Sequence, residues 1–481
     1  MASRISEPPA LALGATVAHA EHGAGTVVAL ERGGRAARVQ FGKLGRLEIH
    51  VSARELVVTV AAPGSTPSAL ARGGVPSPSG AIGGRETGQL LEALRLGAVP
   101  GGGLDLYTVG RERELAQVDA DLTAVREGRG AARALLGDYG TGKTHMLEHV
   151  ASRARAQGFL VGTTALDPVD VPASNPRRVY RALVERLSFP NPDAGHGLLP
   201  LLEQAKGHAA VKARFLEDER HAYLTPALRL WNRIDESTAE PVLDWLGGAA
   251  QDYTPELNGR YHLYGKKALP ALMDYRPWAH IYAYLLSGLA ALAHELGYAG
   301  LVVLLDEAEF FRVLNAENRE FAKRLFRSVV AAALPGSALP FDPGEEPRGG
   351  RGELKELPHR FPGHSPLYVM LAMTPTGQGD ELLEGLLPTD RQTELSPLGV
   401  DDYRALARRV VGLYAGRHEA LRPKIDALSQ LIGDLMFKGL KDGSFSTPRT
   451  AVKFVLELLD MSRLTPDRVR IAVDELKRLW Y

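Results

Sequence analysis

Gly137-Asp138-Tyr139-Gly140-Thr141-Gly142-Lys143-Thr144 fits the pattern G-x-x-x-x-G-K-[ST]. Those residue types at that spacing suit the grip of a polyphosphate. Glycines let the backbone wrap phosphate oxygens closely, with N–H groups pointing inward. The run His145–Ala151 reads as a helix start, whose N-terminus adds partial positive charge beneath the phosphates. Lys143 is placed to reach the β- and γ-phosphates, and Thr144 to hold Mg²⁺. Gly137, Asp138, Tyr139, Gly140, Thr141, Gly142 and His145 complete the expected cradle. A second constellation, Leu301-Val302-Val303-Leu304-Leu305-Asp306-Glu307, delivers two adjacent carboxylates at the end of an aliphatic run. Asp306 is expected to hold Mg²⁺ directly or through water, and Glu307 to polarise the water that attacks the γ-phosphate. Adjacent acids favour hydrolysis over binding alone, and no acceptor pocket of a small-molecule kinase is legible. ATP and Mg²⁺ are the expected ligands.

These groups need a scaffold that presents them together. Ala131–Leu136 is short and apolar, as a buried parallel strand should be, and it runs directly into the glycine loop. Similar runs lie at 159–164, 301–305, 368–374 and 393–398, separated by helical stretches. The predicted fold class is α/β, a P-loop parallel sheet flanked by helices, with ligands at the carboxyl ends of the strands. Residues 1–62 alternate apolar and polar between glycine turns and predict a small five-stranded β-barrel. Residues 63–87, rich in Pro, Gly, Ser and Ala, read as a flexible linker. Residues 88–398 are expected to form the ATPase core, with a helical insertion at about 190–275, and residues 399–481 a helical lid. Residues 335–365 look too rich in glycine and proline to pack, and predict a mobile loop. Basic residues there (Arg348, Arg351, Lys355, Arg360) read either as polymer or partner contacts or as part of an ordinary disordered loop, and those in the insertion (Arg214, Arg220, Arg229, Arg260, Lys266, Lys267) either as nucleic-acid contacts or as an ordinary charged surface.

At 481 residues the chain has room for several domains, and 45% hydrophobic content is ample for their cores. With 57 basic and 57 acidic residues, no global field attracts DNA, so any DNA contact must be local. The absence of cysteine excludes thiolate metal sites and cysteine nucleophiles and fits a reducing cytoplasm. Neither a signal pattern nor a membrane-length apolar stretch is evident. His19/His22 and His359/His364 lack metal-site partners and read as ordinary histidines.

Two resemblances extend this reading. Gly14–His19, Gly23–Val28, Val39–Phe41 and Leu56 resemble the SH3/Tudor-like domain of CarD-type transcription factors, a pattern that also ends some superfamily 1 helicases. The resemblance implies docking onto a protein partner; a structural cap is the alternative. Gly137–Leu147, Leu166-Asp167-Pro168, Val179–Leu183, Leu296–Glu307 and Thr447-Pro448-Arg449 resemble the BREX-system ATP-binding proteins of the BrxD-like group, similar to the origin-recognition branch of AAA+ ATPases.

That resemblance implies further roles. Val109 and Gly110 would contact the adenine, Thr374 (with Thr376 behind it) would orient water or touch the γ-phosphate, Arg391 would act as a finger on a neighbouring subunit, and Arg449 would reach the γ-phosphate from the lid. The implied partners are a superfamily 2 helicase and/or a nuclease in anti-phage defence, DNA through local contacts, and a homo-oligomer, possibly a ring. The chain leaves no room for the winged-helix domain of origin-binding initiators. An oligomerising signalling switch and a DNA-translocating motor are the alternative outputs.

Overall fold

The computed structural model describes residues 16–19, 23–31, 36–41, 48–52, 56–60, 84–99, 102–218, 221–234, 236–350, 352–375, 381–418, 425–445 and 447–464. The chain divides into two units, residues 1–80 and 81–481. In the first, β1 (Thr16–His19), β2 (Gly23–Glu31), β3 (Ala36–Phe41), β4 (Glu48–Ser52) and β5 (Leu56–Val60) form an antiparallel sheet in the order β4-β3-β2-β1-β5. Val39 is fully buried, and its register sets it opposite Val27 on one side and Ile49 on the other.

The second unit is built on five parallel strands, β6 (Ala131–Leu136), β7 (Leu160–Ala165), β8 (Leu301–Asp306), β9 (Leu367–Met373) and β10 (Gln392–Glu394), in the order β10-β6-β9-β8-β7. The runs are apolar throughout because both faces are covered. On β8, Val302 and Leu304 pack with α2 (Glu112–Arg126) and α3 (Lys143–Ala156), whereas Leu301, Val303 and Leu305 pack on the other face. There they meet α4 (Pro176–Glu185), α5 (Ala279–Glu295) and α6 (Ala316–Ala333). The period of two divides β9 in the same way: Tyr368, Met370 and Ala372 point to one side, Leu367, Val369, Leu371 and Met373 to the other.

β9 lies between the strand that carries the glycine loop and the strand that carries the acids. At roughly 4.8 Å per strand, this sets the ends of the two strands about 10 Å apart. A buried polar clamp fixes β6: Arg133 Nε donates to Asp121 at 2.6 Å and Arg133 Nη1 to Thr393 Oγ1 of β10 at 3.0 Å, and the Tyr368 hydroxyl of β9 donates to Asp121 at 3.1 Å.

The lid consists of α7 (Val400–Arg417), α8 (Ile425–Lys441) and α9 (Pro448–Leu464), but it is not confined to residues after 398. Helix α1 (Gly84–Leu96) starts inside the expected linker. Its Leu90, Leu91 and Leu94, with Leu104, Tyr107 and Val109, share one core with Tyr403, Leu406, Val410, Ile432, Val455 and Leu459. Helix spacing gave α1 an apolar face, but only packing could say which core that face joins.

The helices of residues 199–260 pack on the sheet: Phe215, Tyr223, Leu228, Trp231 and Trp245 belong to the same core as the sheet face, and they cover the outer side of α5. This explains why α5 is apolar on every face. Residues 335–365 also pack. Phe361 stacks on Phe215 with ring centres 5.5 Å apart, and its N–H donates to the buried Ser287 hydroxyl at 2.7 Å. Arg360 donates to the carbonyls of Ala333 and Ser365, and Arg214 to that of Pro362. One aromatic anchor thus overrides the loop-forming composition. Arg220, Arg351, Thr376 and residues 465–481 of the expected lid lie outside the described residues.

Candidate active site

A cavity of about 390 Å³ opens at the carboxyl end of the sheet, between the glycine loop, the α1 segment and the lid. Its size suits a bound small molecule. Residues 139–145 line one side, Asp306, Glu307 and Glu309 the far end, and Thr447, Pro448 and Arg449 the lid side. The loop's path depends on left-handed backbone at Gly140 (φ 86°) and Gly142 (φ 98°). A Cβ on Gly142 would have room, so conformation rather than space requires glycine there. Gly142 caps α3, whose first residue is Lys143, so the helix N-terminus faces the cavity.

Lys143 is buried, and its ammonium donates to Gly137 O at 2.8 Å, to Asp138 O at 3.2 Å and to Thr374 Oγ1 at 2.9 Å. Thr144 Oγ1 donates to Asp306 Oδ2 at 2.7 Å, and Glu307 N donates to the other carboxylate oxygen, Oδ1, at 2.9 Å. The aliphatic strand therefore ends with its aspartate fixed against the loop's hydroxyl. Glu307 has φ 55°, a left-handed conformation that costs a non-glycine residue roughly 1–2 kcal/mol. It stands exposed at the cleft end. Partial desolvation, then the neighbouring Asp306 and Glu309 carboxylates, raise its pKa above the usual range, while Lys143 opposes the shift. A raised carboxyl pKa suits a general base.

The middle of the cavity is neutral. Thr108 Oγ1 donates to Leu104 O at 2.8 Å and lies 2.8 Å from His145 Nε2. With its only proton committed, Thr108 must accept, so His145 carries its proton on Nε2 and turns Nδ1 toward the Tyr107 hydroxyl, 3.4 Å away. Burial, then His149, Arg111 and Arg449, lower the His145 pKa to about 4. The opposite end is apolar, with Leu94, Val99 and Val109 facing Leu398, Leu406 and Val452 of the lid side.

The expected residues divide accordingly. Lys143, Thr144, His145, Asp306, Glu307, Arg449 and Val109 line one cleft together with Tyr139, Gly140, Thr141 and Gly142. Gly137 and Asp138 meet Lys143 through their carbonyls. Thr374 lies behind the cavity wall, bonded to Lys143. Gly110 does not line the cavity; its φ of 62° carries the chain past the Asp402 carboxylate, which a side chain there would strike. Arg391 sits half-buried just before the edge strand β10 and takes no part in this chain's own cleft.

The structure adds residues that spacing did not single out. Arg111 is buried and donates to Thr141 O at 3.0 Å, bracing the loop from the α1 side. Arg312 donates to Thr374 O at 2.7 Å, and Glu309 accepts from the Thr374 hydroxyl at 2.6 Å. The only available signal for Glu309 was its place two residues after Glu307.

No curated protein matches the chain. A family model does match residues 82–223, from just before α1, through the glycine loop, into the helices that follow β7. That model is the BREX system ATP-binding protein BrxC/D, and over these residues the chain is similar to that family.

Proposed function

We propose that the chain is a cytoplasmic, Mg²⁺-dependent ATPase of the AAA+ type in a bacterial anti-phage defence system. It would use ATP to recruit, load or regulate a partner helicase or nuclease on DNA. The observation that carries the ATPase reading is the 2.7 Å bond joining Thr144 of the glycine loop to Asp306 of the acid strand. Both are hard oxygen donors, and they fit Mg²⁺, which takes few protein ligands and otherwise water and phosphate oxygens. When bound, the cation would neutralise charge on the phosphates. Lys143 and the N-terminus of α3 would bind the β- and γ-phosphates. Glu307 would take one proton from water as the water oxygen bonds to the γ-phosphorus and the bond to the β–γ bridging oxygen breaks, giving ADP and phosphate.

The output follows from how the cleft is assembled. Arg449, α1 and the lid form one wall and the sheet the other, so ATP would bridge two packed cores and couple its own state to their closure. Arg391, pointing at no group in this chain's cleft, would serve a neighbouring copy in an oligomer. Residues 1–62, SH3/Tudor-like by sequence, would dock a protein partner.

Phosphate release from Mg²⁺-ATP by the purified chain tests the enzymatic reading. Glu307→Gln should slow turnover by roughly 10²–10⁴-fold while ATP stays bound; normal turnover would remove Glu307 as the base. Stimulation by DNA supports the loading role. ATP-driven oligomerisation without any DNA effect supports the switch, and strand separation by this chain alone supports the motor. Affinity capture with and without residues 1–62 tests the docking role.

A further inference from the structure

Thr374 is held from three sides. Arg312 bonds its carbonyl at 2.7 Å, Lys143 donates to its hydroxyl oxygen at 2.9 Å, and the hydroxyl itself donates to Glu309 Oε1 at 2.6 Å. A threonine hydroxyl has one proton and two acceptor lone pairs. With that proton donated to Glu309 in a hydrogen bond, Thr374 has only acceptor capacity left, one site for Lys143 and one more. Glu309 reaches this position because the left-handed turn at Glu307 starts the 3-10 segment Ala308–Val313, which returns the chain to the end of β9. The other carboxylate oxygen, Glu309 Oε2, is buried without a hydrogen-bond partner among the described residues. A half-satisfied buried carboxylate weakens a fold, so stability alone gives little reason to keep an acid here.

We propose that Glu309 is a positioning residue that acts through Thr374: by accepting the hydroxyl's one hydrogen bond it leaves that oxygen free only to accept. Thr374 then cannot donate to the γ-phosphate. It instead accepts one hydrogen of the attacking water while Glu307 removes the other, and the water oxygen is left aimed at the γ-phosphorus. This inference rests on the ATPase reading above and decides between the two roles open to Thr374.

The test measures ATP and ADP affinities by calorimetry and ATP turnover for wild type, Glu309→Leu, Glu309→Gln, Thr374→Val and the Leu/Val double variant. The ratio of ATP to ADP affinity should stay within about threefold of wild type in Thr374→Val, Glu309→Gln and the double variant, since no hydrogen bond to the γ-phosphate is lost, and should not fall in Glu309→Leu, where the freed Thr374 hydroxyl can donate to it. Turnover should fall by about tenfold or more in Glu309→Leu and in Thr374→Val, with no further fall in the double variant. Glu309→Gln keeps an accepting oxygen and should lose no more than about threefold.

A Thr374→Val chain that loses ATP affinity tenfold or more while keeping ADP would show that Thr374 donates to the γ-phosphate, and would overturn the proposal. So would additive losses in the double variant. A wild-type chain that binds no ATP overturns the ATPase reading and this assignment together. One that binds ATP without hydrolysing it leaves the nucleotide-binding reading standing and overturns the water-positioning role of Glu309.

Discussion

The two ends of the cleft are built on different principles. The polar end consists of strand termini: its groups sit where β6, β8 and β9 stop, in a sheet whose register fixes them to within a hydrogen bond. The opposite end consists of apolar side chains from α1, the segment that follows it and the lid, gathered from residues far apart in the chain. One end is directional and rigid. The other is adaptable and depends on two packed bodies meeting. A ligand that joins them therefore takes its charge recognition from the sheet and its dependence on lid position from the apolar side.

Lys143→Ala is the largest way to break this contrast. Removing a buried ammonium should cost roughly 3 kcal/mol or more, so ATP and inorganic tripolyphosphate should both bind at least about a hundredfold more weakly. Equal affinity in a calorimetric titration would leave the loop without its assigned task. Val109→Ala sharpens the contrast from the other end. Losing two buried methyl groups should weaken ATP by about tenfold and leave tripolyphosphate unchanged; a matching loss for both ligands would mean that the two ends are not separable. Gly97→Ala should have a smaller effect. Its φ of 72° strains any side chain by roughly 1–2 kcal/mol at the point where Arg449 packs. A few-fold weaker ATP and a lower melting temperature are expected, and an unchanged melting temperature would contradict the strain.

An effect of a different kind, on stability rather than on affinity, comes with pH. Burial lowers His145 and His359 to about 4 and His221 to about 3, against an ordinary value near 6.5. As pH falls from about 6.5 toward 4, the unfolded chain takes up protons that the folded chain refuses, so stability declines across that window. Each histidine contributes on the order of 1–2 kcal/mol at pH 5. Melting curves at pH 7.5 and pH 5 should differ by several degrees, with the lower value in acid. A higher melting temperature at pH 5 would show that these rings are charged in the fold.

The legibility of the sequence follows the same division. The glycine loop and the acid strand could be read because a phosphate grip demands particular residue types at fixed local spacing, and strand periodicity places each at a sheet end. The α/β class could be read for the same reason. The side on which α1 packs could not, because an apolar helix face carries no address. Phe361 turned a loop of loop-forming composition into packed structure, and no local pattern announces a long-range aromatic contact.

The sequence by itself determined the strands, the P-loop and the residue types able to hold a triphosphate and a cation, since these depend on neighbours along the chain. Only the tertiary structure decided that β9 lies between the two motifs, that Thr374 answers to Glu309 as well as Lys143, and that α1 helps to wall the cleft. Those facts depend on which surfaces are buried together. Burial is settled by the whole chain's competition to hide apolar area, which no single segment records.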